Sequence, residues 1–353
     1  TEQWVLKHPD AILALQSAYK AAGSDMVYAP TFCANRIALS GYGLQDDVSR
    51  MNRELVALSK KAVGSGVLVA GDMTTTGKPA DPEDSDGYQQ LLDAYREQAE
   101  ALISAGADLI GVETMMGVNE CVAAIEAIRS LGDIAVICTL SVQSDGKCYF
   151  DGSVFEAAEI LEALGTDAIG VNCSLGPAQL LPVAEKILEF TDKPVIVQAN
   201  AGLPDAAGNY NVSADEFARA CEGFIEKGVR IVGGCCGTTP EYIRKLREIA
   251  DAAKPQPTPF RRVSAVCSAR KRVVVDGVKV IGERINPTGK KAMKAALLTG
   301  DTDFISRQAL EQAEAGAEIL DVNAGLPEID ETKTLVKIVR HLQTVTDLPL
   351  QID

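Results

Sequence analysis

The chain has 353 residues, 46% hydrophobic and 24% charged, values that suit a globular protein with ample core and, at about 150 residues per domain, room for about two domains. Lys plus Arg number 34 against 49 Asp plus Glu, a net charge of −15, and such a field repels nucleic-acid phosphates and anionic lipid. Neither nucleic acid nor membrane is therefore expected as a partner; no apolar run approaches the roughly 20 residues that span a bilayer, and the first residues do not read as a secretory signal.

In chain order, an amphipathic stretch over Pro9–Ala22 predicts an opening helix. Candidate strands follow at Asp25–Phe32, Gly66–Met73, Asp108–Thr114, Ile134–Ser141, Ala168–Ser174, Val195–Gly202 and Val229–Gly237, with helical segments such as Tyr88–Ala105 between them. Runs such as VLVA (Val67–Ala70) are continuously apolar, the pattern of a parallel sheet covered on both faces. Repeated βα units give a doubly wound sheet or a (β/α)8 barrel. Seven strands against eight helices, the first helix preceding the first strand, predict an α/β fold of the TIM-barrel type whose first strand lies upstream of Thr1.

Residues 1–253 form this expected barrel. Residues 254–272, proline-rich and then basic, read as a linker. Residues 273–353 read as the beginning of a second α/β domain, too short for a whole barrel and cut mid-domain. Its expected elements are a hairpin turning at Asp276-Gly277, a helix over Asp303–Ala315, a strand over Glu318–Asn323, a helix over Glu331–Thr344 and a strand from Leu348.

Only two histidines, His8 and His341, are present, which argues against a histidine-built metal site or a Ser-His triad. Nine cysteines, an odd number, suit a reducing compartment and a cytoplasmic location. Cys33, Cys121, Cys138 and Cys221 read as core filler, and Cys148 and Cys267 carry no signal. Cys173 in GVNCSLGP and Cys235-Cys236 in VGGCCGTTP each end a predicted strand. The strand ends of a parallel barrel converge on one face, where active sites of this fold lie. Gly233, Gly234 and Gly237 permit a bulge or turn that brings both adjacent sulfurs inward. Three thiolates without histidine match a zinc site with an open fourth position. Such a centre activates water poorly and instead holds an incoming thiol as its nucleophilic thiolate. Alkyl transfer to a substrate thiol is the chemistry that fits best.

GVNCSLGP together with GGCCGTTPEYI resembles the homocysteine S-methyltransferase family. IGERINPTGKK (Ile281–Lys291) and EAGAEILDVNAG (Glu314–Gly325) resemble the start of a pterin-binding methyltransferase domain. That order of domains is similar to the front half of the cobalamin-dependent methionine synthases. The resemblance implies that Cys173, Cys235 and Cys236 bind Zn2+ and that homocysteine sulfur takes a methyl group from methylcobalamin to form methionine. Methyltetrahydrofolate is then the upstream donor, and cobalamin is supplied by another module or protein. It implies that Glu113, in GVET, holds the substrate amino group, although a strand-end Glu on its own also suits an N-cap of the following helix; Asn200, in QANAGLP, matches the family too, and its amide oxygen is expected to fill the fourth zinc position before substrate arrives. Asn172 is expected to support the substrate site, though on its own it reads equally as a turn residue. Glu283, Asp321, Asn323 and Asp353 match positions at or near a pterin pocket, while Glu283 also suits a salt bridge with Arg284 or Lys290. Asn286-Pro287-Thr288-Gly289 reads as a plain turn.

Two departures stand out. Nothing before Trp4 matches the family's opening Asp-Gly-Ala strand loop, and its Gly-Pro-Thr-Gly loop reads Thr74-Thr75-Thr76-Gly77 here, after Asp72. The rival readings are a stand-alone homocysteine methyltransferase using betaine or a sulfonium donor, a catalytically silent fragment, and a thiol redox protein built on Cys235-Cys236.

Overall fold

A computed structural model describes the chain from Thr1 to Asp353 apart from Pro79, Pro82 and Pro255. It contains two compact units, Thr1–Ala80 with Gln89–Arg261, and Asp81–Tyr88 with Arg262–Asp353. No helix among the described residues is long and apolar enough to cross a membrane.

The first unit opens with helices α1 (Glu2–Lys7) and α2 (Pro9–Ala21). Seven strands follow: β1 (Met26–Tyr28), β2 (Leu68–Met73), β3 (Leu109–Met115), β4 (Val136–Leu140), β5 (Ala168–Asn172), β6 (Val195–Ala199) and β7 (Ile231–Gly234). They form one sheet in sequence order, every neighbouring pair parallel. All seven lie inside or within one residue of the runs that the apolar pattern marks. Strands β4, β5 and β6 are buried along their whole length, as expected for strands covered on both faces.

The connecting helices are α3 (Arg36–Ser40), α4 (Val48–Val63), α5 (Ser85–Ser104), α6 (Val118–Arg129), α7 (Val154–Ala163), α8 (Pro177–Ile187), α9 (Ala214–Lys227) and α10 (Pro240–Ala252). The count of eight helices is therefore too low. Glu2–Lys7 and Arg36–Ser40 are short additional helices, the second capped by the Asn35 side chain on Ala38 N–H; five or six residues are too few to show helical periodicity.

The sheet is curled. Ala70, Leu109, Ile137, Ala168 and Ile196, one from each of β2 to β6, pack into a single apolar layer, as side chains do inside a barrel. The Tyr28 hydroxyl on β1 donates to Gln198 Oε1 on β6 over 3.1 Å, a contact that a flat sheet with four strands between them forbids. Strands β1 and β7 are the two edges, and a cavity of about 600 Å3 separates them, lined by Met26, Tyr28, Ile231 and Gly233 and backed by Ile12 of α2 and Leu246 of α10. The helical layer does meet across this seam: Arg247 of α10 pairs with Asp25 at 2.8 Å, and the Tyr19 hydroxyl of α2 reaches Thr238 O at 3.3 Å. The architecture is an α/β fold with a curled parallel sheet of TIM-like form.

In the second unit, β8 (Ala265–Cys267) and β9 (Arg272–Val274) form an antiparallel pair. A three-stranded parallel sheet comprises β10 (Ile281–Ile285), β11 (Ile319–Val322) and β12 (Leu350–Ile352). Helices α11 (Lys291–Thr299), α12 (Thr302–Glu314) and α13 (Glu331–Val345) join them, and Met293, Leu297, Ile305, Leu320 and Leu342 fill the core.

The hairpin expected across Asp276-Gly277 is not formed. Val273 pairs backwards with Val266, inside the stretch read as linker, while Ile281 pairs in parallel with Ile319. Burial explains the choice, since β10 places Ile285 in the core whereas Val278 remains 96% exposed. Asn286–Gly289 is the turn expected, with Asn286 Oδ1 accepting from Thr288 N–H and Gly289 at φ +72°.

Candidate metal centre

Each of the three cysteines is placed by an abrupt turn just past a strand. Strand β5 ends at Asn172, after which Cys173 (φ +59°) and Ser174 (φ +52°) both take the left-handed conformation, which costs about 1–3 kcal/mol each outside glycine. The turn is pinned by Cys173 N–H donating to Gln198 O (3.0 Å) and by the Ser174 hydroxyl donating to Val142 O (3.0 Å). Strand β7 ends at Gly234, and Cys235 N–H donates to Ala199 O at 2.8 Å. The Thr238 hydroxyl folds back on Cys235 O at 2.7 Å. A Cβ on Gly234 would lie 2.5 Å from Thr238 Oγ1, and Gly237 sits at φ +79°, so this turn requires both glycines.

The sulfurs of Cys173, Cys235 and Cys236 lie within 4.8 Å of one another, with Cys173 and Cys236 at 3.6 Å. Cys173 and Cys235 are half-buried and Cys236 is exposed. Left to themselves the thiols share one negative charge. Cys173 is held down at about 5, chiefly because the Cys235 thiol donates to it, helped by Ser174 N–H, Cys236 and the Asn200 amide. That same hydrogen bond, burial and the Cys173 charge push Cys235 far up. Burial and the Cys173 charge raise Cys236. Three sulfur donors at this spacing suit a soft, tetrahedral cation such as Zn2+ with one position left for a substrate.

Asn200 is buried beside the sulfurs, its Oδ1 accepting from Cys236 N–H at 3.1 Å. Asn172 is fully buried. Its Oδ1 accepts from Thr114 N–H (2.8 Å) and the Thr139 hydroxyl (2.9 Å), while its Nδ2 donates to Thr114 Oγ1 (2.8 Å) and Glu113 Oε2 (3.4 Å). All its polar capacity goes to neighbouring strands, so Asn172 ties Glu113 to the strand that ends in Cys173. Glu113, at the end of β3, is raised to about 7, first by burial and then by the Cys173 charge.

Sequence reading passed over one acid of this face. Asp72 on β2 is 5% exposed, and its Oδ1 has no hydrogen-bond partner among the described residues. Burial, then the charges of Glu113 and Glu2, raise its acid well above the carboxylate range. A buried carboxyl oxygen without a donor is costly, and an acid pushed up by the charge of a second acid suits a cationic ligand group. The only sequence signal was its position, a lone Asp at the end of an apolar run.

The loop after β2 is held by a third buried carboxylate. Glu120 accepts from Thr75 Oγ1 (2.6 Å), Thr76 N–H (2.7 Å), Thr76 Oγ1 (2.8 Å) and the Tyr95 hydroxyl (2.7 Å). Thr74 Oγ1 in turn donates to Glu113 O at 2.8 Å. Of the cysteines read as filler, Cys121, Cys138 and Cys221 are buried and Cys33 is half-buried.

These features invite comparison with known proteins. The sequence profile described as homocysteine S-methyltransferase matches residues 1–250. The chain belongs to that family. A methionine synthase from Mycobacterium leprae (strain TN) is 29% identical over 374 residues, covering 98% of this chain and 30% of that protein. The chain thus spans about a third of the length of this relative. Among solved structures, the homocysteine methyltransferase MmuM from Escherichia coli shares the fold. Its metallated form gives a TM-score of 0.59 at 20% identity over 70% of this chain and 88% of that one, and its oxidized form a TM-score of 0.60.

In this homocysteine S-methyltransferase family member, the four residues expected around a pterin pocket lie on or just past the three strands of the second unit's parallel sheet. Lys290 Nζ pairs with Glu283 Oε2 at 2.9 Å, the salt bridge that sequence reading offered as the alternative role. Asp321, 4% exposed, accepts from Gln351 Nε2 at 2.9 Å, and Asn323 Nδ2 donates to Asp353 Oδ2 at 3.1 Å. Burial, then the Asp353 charge, raises the Asp321 acid.

Proposed function

We propose that the first unit transfers a methyl group to the sulfur of homocysteine, giving methionine. The observation that carries this reading is the convergence of three cysteine sulfurs within 4.8 Å at two strand ends, a donor set that fits Zn2+. Zinc bound there would lower the pKa of a substrate thiol and present it as the nucleophile.

The chain's own residues do the rest. Glu113 and Asp72, both at strand ends, hold the substrate ammonium, whose positive charge satisfies the unpartnered Asp72 oxygen. Asn172 fixes Glu113 relative to Cys173, and Glu120 fixes the Thr74–Gly77 loop that braces Glu113 from the other side. Asn200, beside the sulfurs, would hold the remaining metal position while substrate is absent.

The methyl donor on this reading is methylcobalamin, carried by another module or protein. Methyltetrahydrofolate is the upstream donor, bound in a second, pterin-binding domain of which residues 273–353 supply one part, after a linker at 254–272. Glu283 within β10, Asp321 near the end of β11, and Asn323 and Asp353 just past β11 and β12 face the donor and acceptor edge of the pterin ring. An eighth strand closes the barrel between β1 and β7, in the cavity of about 600 Å3. The reaction belongs in the cytoplasm.

The deciding assay is methionine formation by zinc-loaded protein from homocysteine with methylcobalamin, betaine or a sulfonium donor. Turnover with methylcobalamin alone supports the proposal. Turnover with betaine or a sulfonium alone makes the chain a different kind of homocysteine methyltransferase, and zinc binding without turnover makes it a silent module.

A further inference from the structure

Strand β3 holds one residue more than its neighbour can match. Val112 pairs with Cys138 of β4 and Met115 with Leu140, so Glu113 and Thr114 together stand opposite Thr139. Such a β-bulge lets two successive side chains share one face of a sheet. Here the face is the inner one. Leu109 belongs to the apolar layer inside the sheet, and a Cβ on Gly111 would lie 2.4 Å from the Tyr28 ring, so the alternation of the strand turns Glu113 inward. Thr114 turns inward with it, because its Oγ1 and the Thr139 hydroxyl both meet the Asn172 amide.

The bulge carries a strained residue. Thr114 takes φ +56°, in the left-handed region, where a β-branched side chain is an outlier that its surroundings must hold in place. Side chains hold it from both sides. Thr74 Oγ1, in the loop after β2, donates to Glu113 O at 2.8 Å, and Thr114 N–H donates to Asn172 Oδ1 of β5 at 2.8 Å. Asn172 Nδ2 donates in return to Thr114 Oγ1 (2.8 Å) and reaches Glu113 Oε2 (3.4 Å). Thr114 and Asn172 are therefore locked reciprocally, and the same amide steadies the Glu113 carboxylate. A residue kept for packing alone would need neither the hydroxyl nor the left-handed backbone.

We infer that Thr114 is a positioning residue that makes the site selective for thiols carrying an α-amino group: its bulge, locked by Asn172, aims the Glu113 carboxylate at the substrate ammonium. The inference deepens the methyl-transfer reading above and rests on it for the identity of that ammonium. Without the bulge, position 114 would turn outward and Asn172 would lose both of its bonds to Thr114. The amide that steadies Glu113 Oε2 would then be free to turn. Thr114 acts through Asn172 and Glu113, so its loss should be felt by the amino group of a ligand and not by its sulfur.

The test compares two thiols on the full chain, homocysteine and γ-mercaptobutyrate, which differ only by the α-amino group. Titration calorimetry gives a dissociation constant for each, and their ratio cancels every contribution the two share, any from a metal included. Thr114→Val keeps the volume and the branched Cβ but removes the acceptor for Asn172 Nδ2. It should bind homocysteine about tenfold more weakly, as for the loss of one charge-assisted hydrogen bond, and γ-mercaptobutyrate within about twofold of the parent. Thr114→Ser, which keeps Oγ, should restore the preference. Should Thr114→Val fail to fold, Thr114→Gly accepts φ +56° without strain, lacks the same oxygen and should lose the same preference. Equal weakening of both thiols marks a merely structural role and overturns the inference, as does a parental preference that survives in the folded variant. A parent that binds the two thiols alike gives a different failure: it overturns the ammonium role of Glu113 itself, and this inference with it.

Discussion

Cys173 Sγ and Cys236 Sγ lie 3.6 Å apart although 63 residues separate them in the chain. Two costly left-handed residues on one side and two obligatory glycines on the other maintain that approach. Replacing Cys173, Cys235 or Cys236 singly by Ser should leave the strands intact, because each cysteine lies past its strand end. Zinc content should fall well below one per chain, and methionine formation by more than about 100-fold, since a metal contribution of several kcal/mol is lost. Metal analysis beside far-UV circular dichroism checks both halves.

Glu113 gives a pH signature. Burial and the Cys173 charge raise it to about 7, so the carboxylate that attracts an ammonium group accumulates as pH rises through that region. Homocysteine affinity should increase across this window, and a cation on the sulfurs, by offsetting the Cys173 charge, moves the midpoint downward. Glu113→Gln should bind more weakly above the midpoint and lose this limb, while keeping any pH dependence of the substrate thiol. Calorimetric titration of both proteins from pH 5.5 to 8.5 (a range of about three units spanning both forms) makes the comparison.

Asp72 carries a stability signature that runs the opposite way with pH. Its folded pKa is raised above its unfolded one, so the native state holds the proton more tightly. Its contribution to stability is full below the unfolded value of about 3.9 and is lost as pH rises through the folded value. Asp72→Asn removes that loss. The variant should be more stable than the parent at neutral pH by about 1 kcal/mol, or roughly 2–4 °C in melting temperature, with the difference closing toward pH 4. It should also bind homocysteine more weakly. Equal melting temperatures at every pH contradict the account of Asp72.

A glycine of β5 is needed for packing alone. A Cβ on Gly170 would sit 1.8 Å from Ile196 O, a backbone atom of β6 that cannot rotate away. Gly170→Ala should therefore cost about 3 kcal/mol or more, against about 1–2 kcal/mol for Gly208→Ala, where the strain at φ +84° is the burden and no described atom lies within 4 Å of the added Cβ. Urea titration of the two variants separates a clash from a conformational preference.

The strands were legible because seven apolar runs of strand length, each bounded by turn residues, have few alternatives. The convergence of Cys173 with Cys235 and Cys236 was legible because all three follow strand ends, which a parallel curled sheet gathers on one face. The Asp276-Gly277 hairpin misled because turn chemistry marks where a chain bends without saying which strand receives it. Val273 found its partner at Val266, on the N-terminal side. Asp72 was overlooked because burial beside Glu113, rather than any local pattern, makes it unusual.

X-ray absorption at the zinc edge, on zinc-loaded protein with and without homocysteine, tests the central claim most directly. The account predicts about one zinc per chain, bound by three sulfurs and one lighter ligand that homocysteine sulfur replaces. In Asn200→Ala the lighter ligand should change in the substrate-free spectrum, while the four-sulfur spectrum with homocysteine stays the same. Zinc that is absent, or whose coordination homocysteine leaves unaltered, would contradict the claim that this centre activates the substrate thiol.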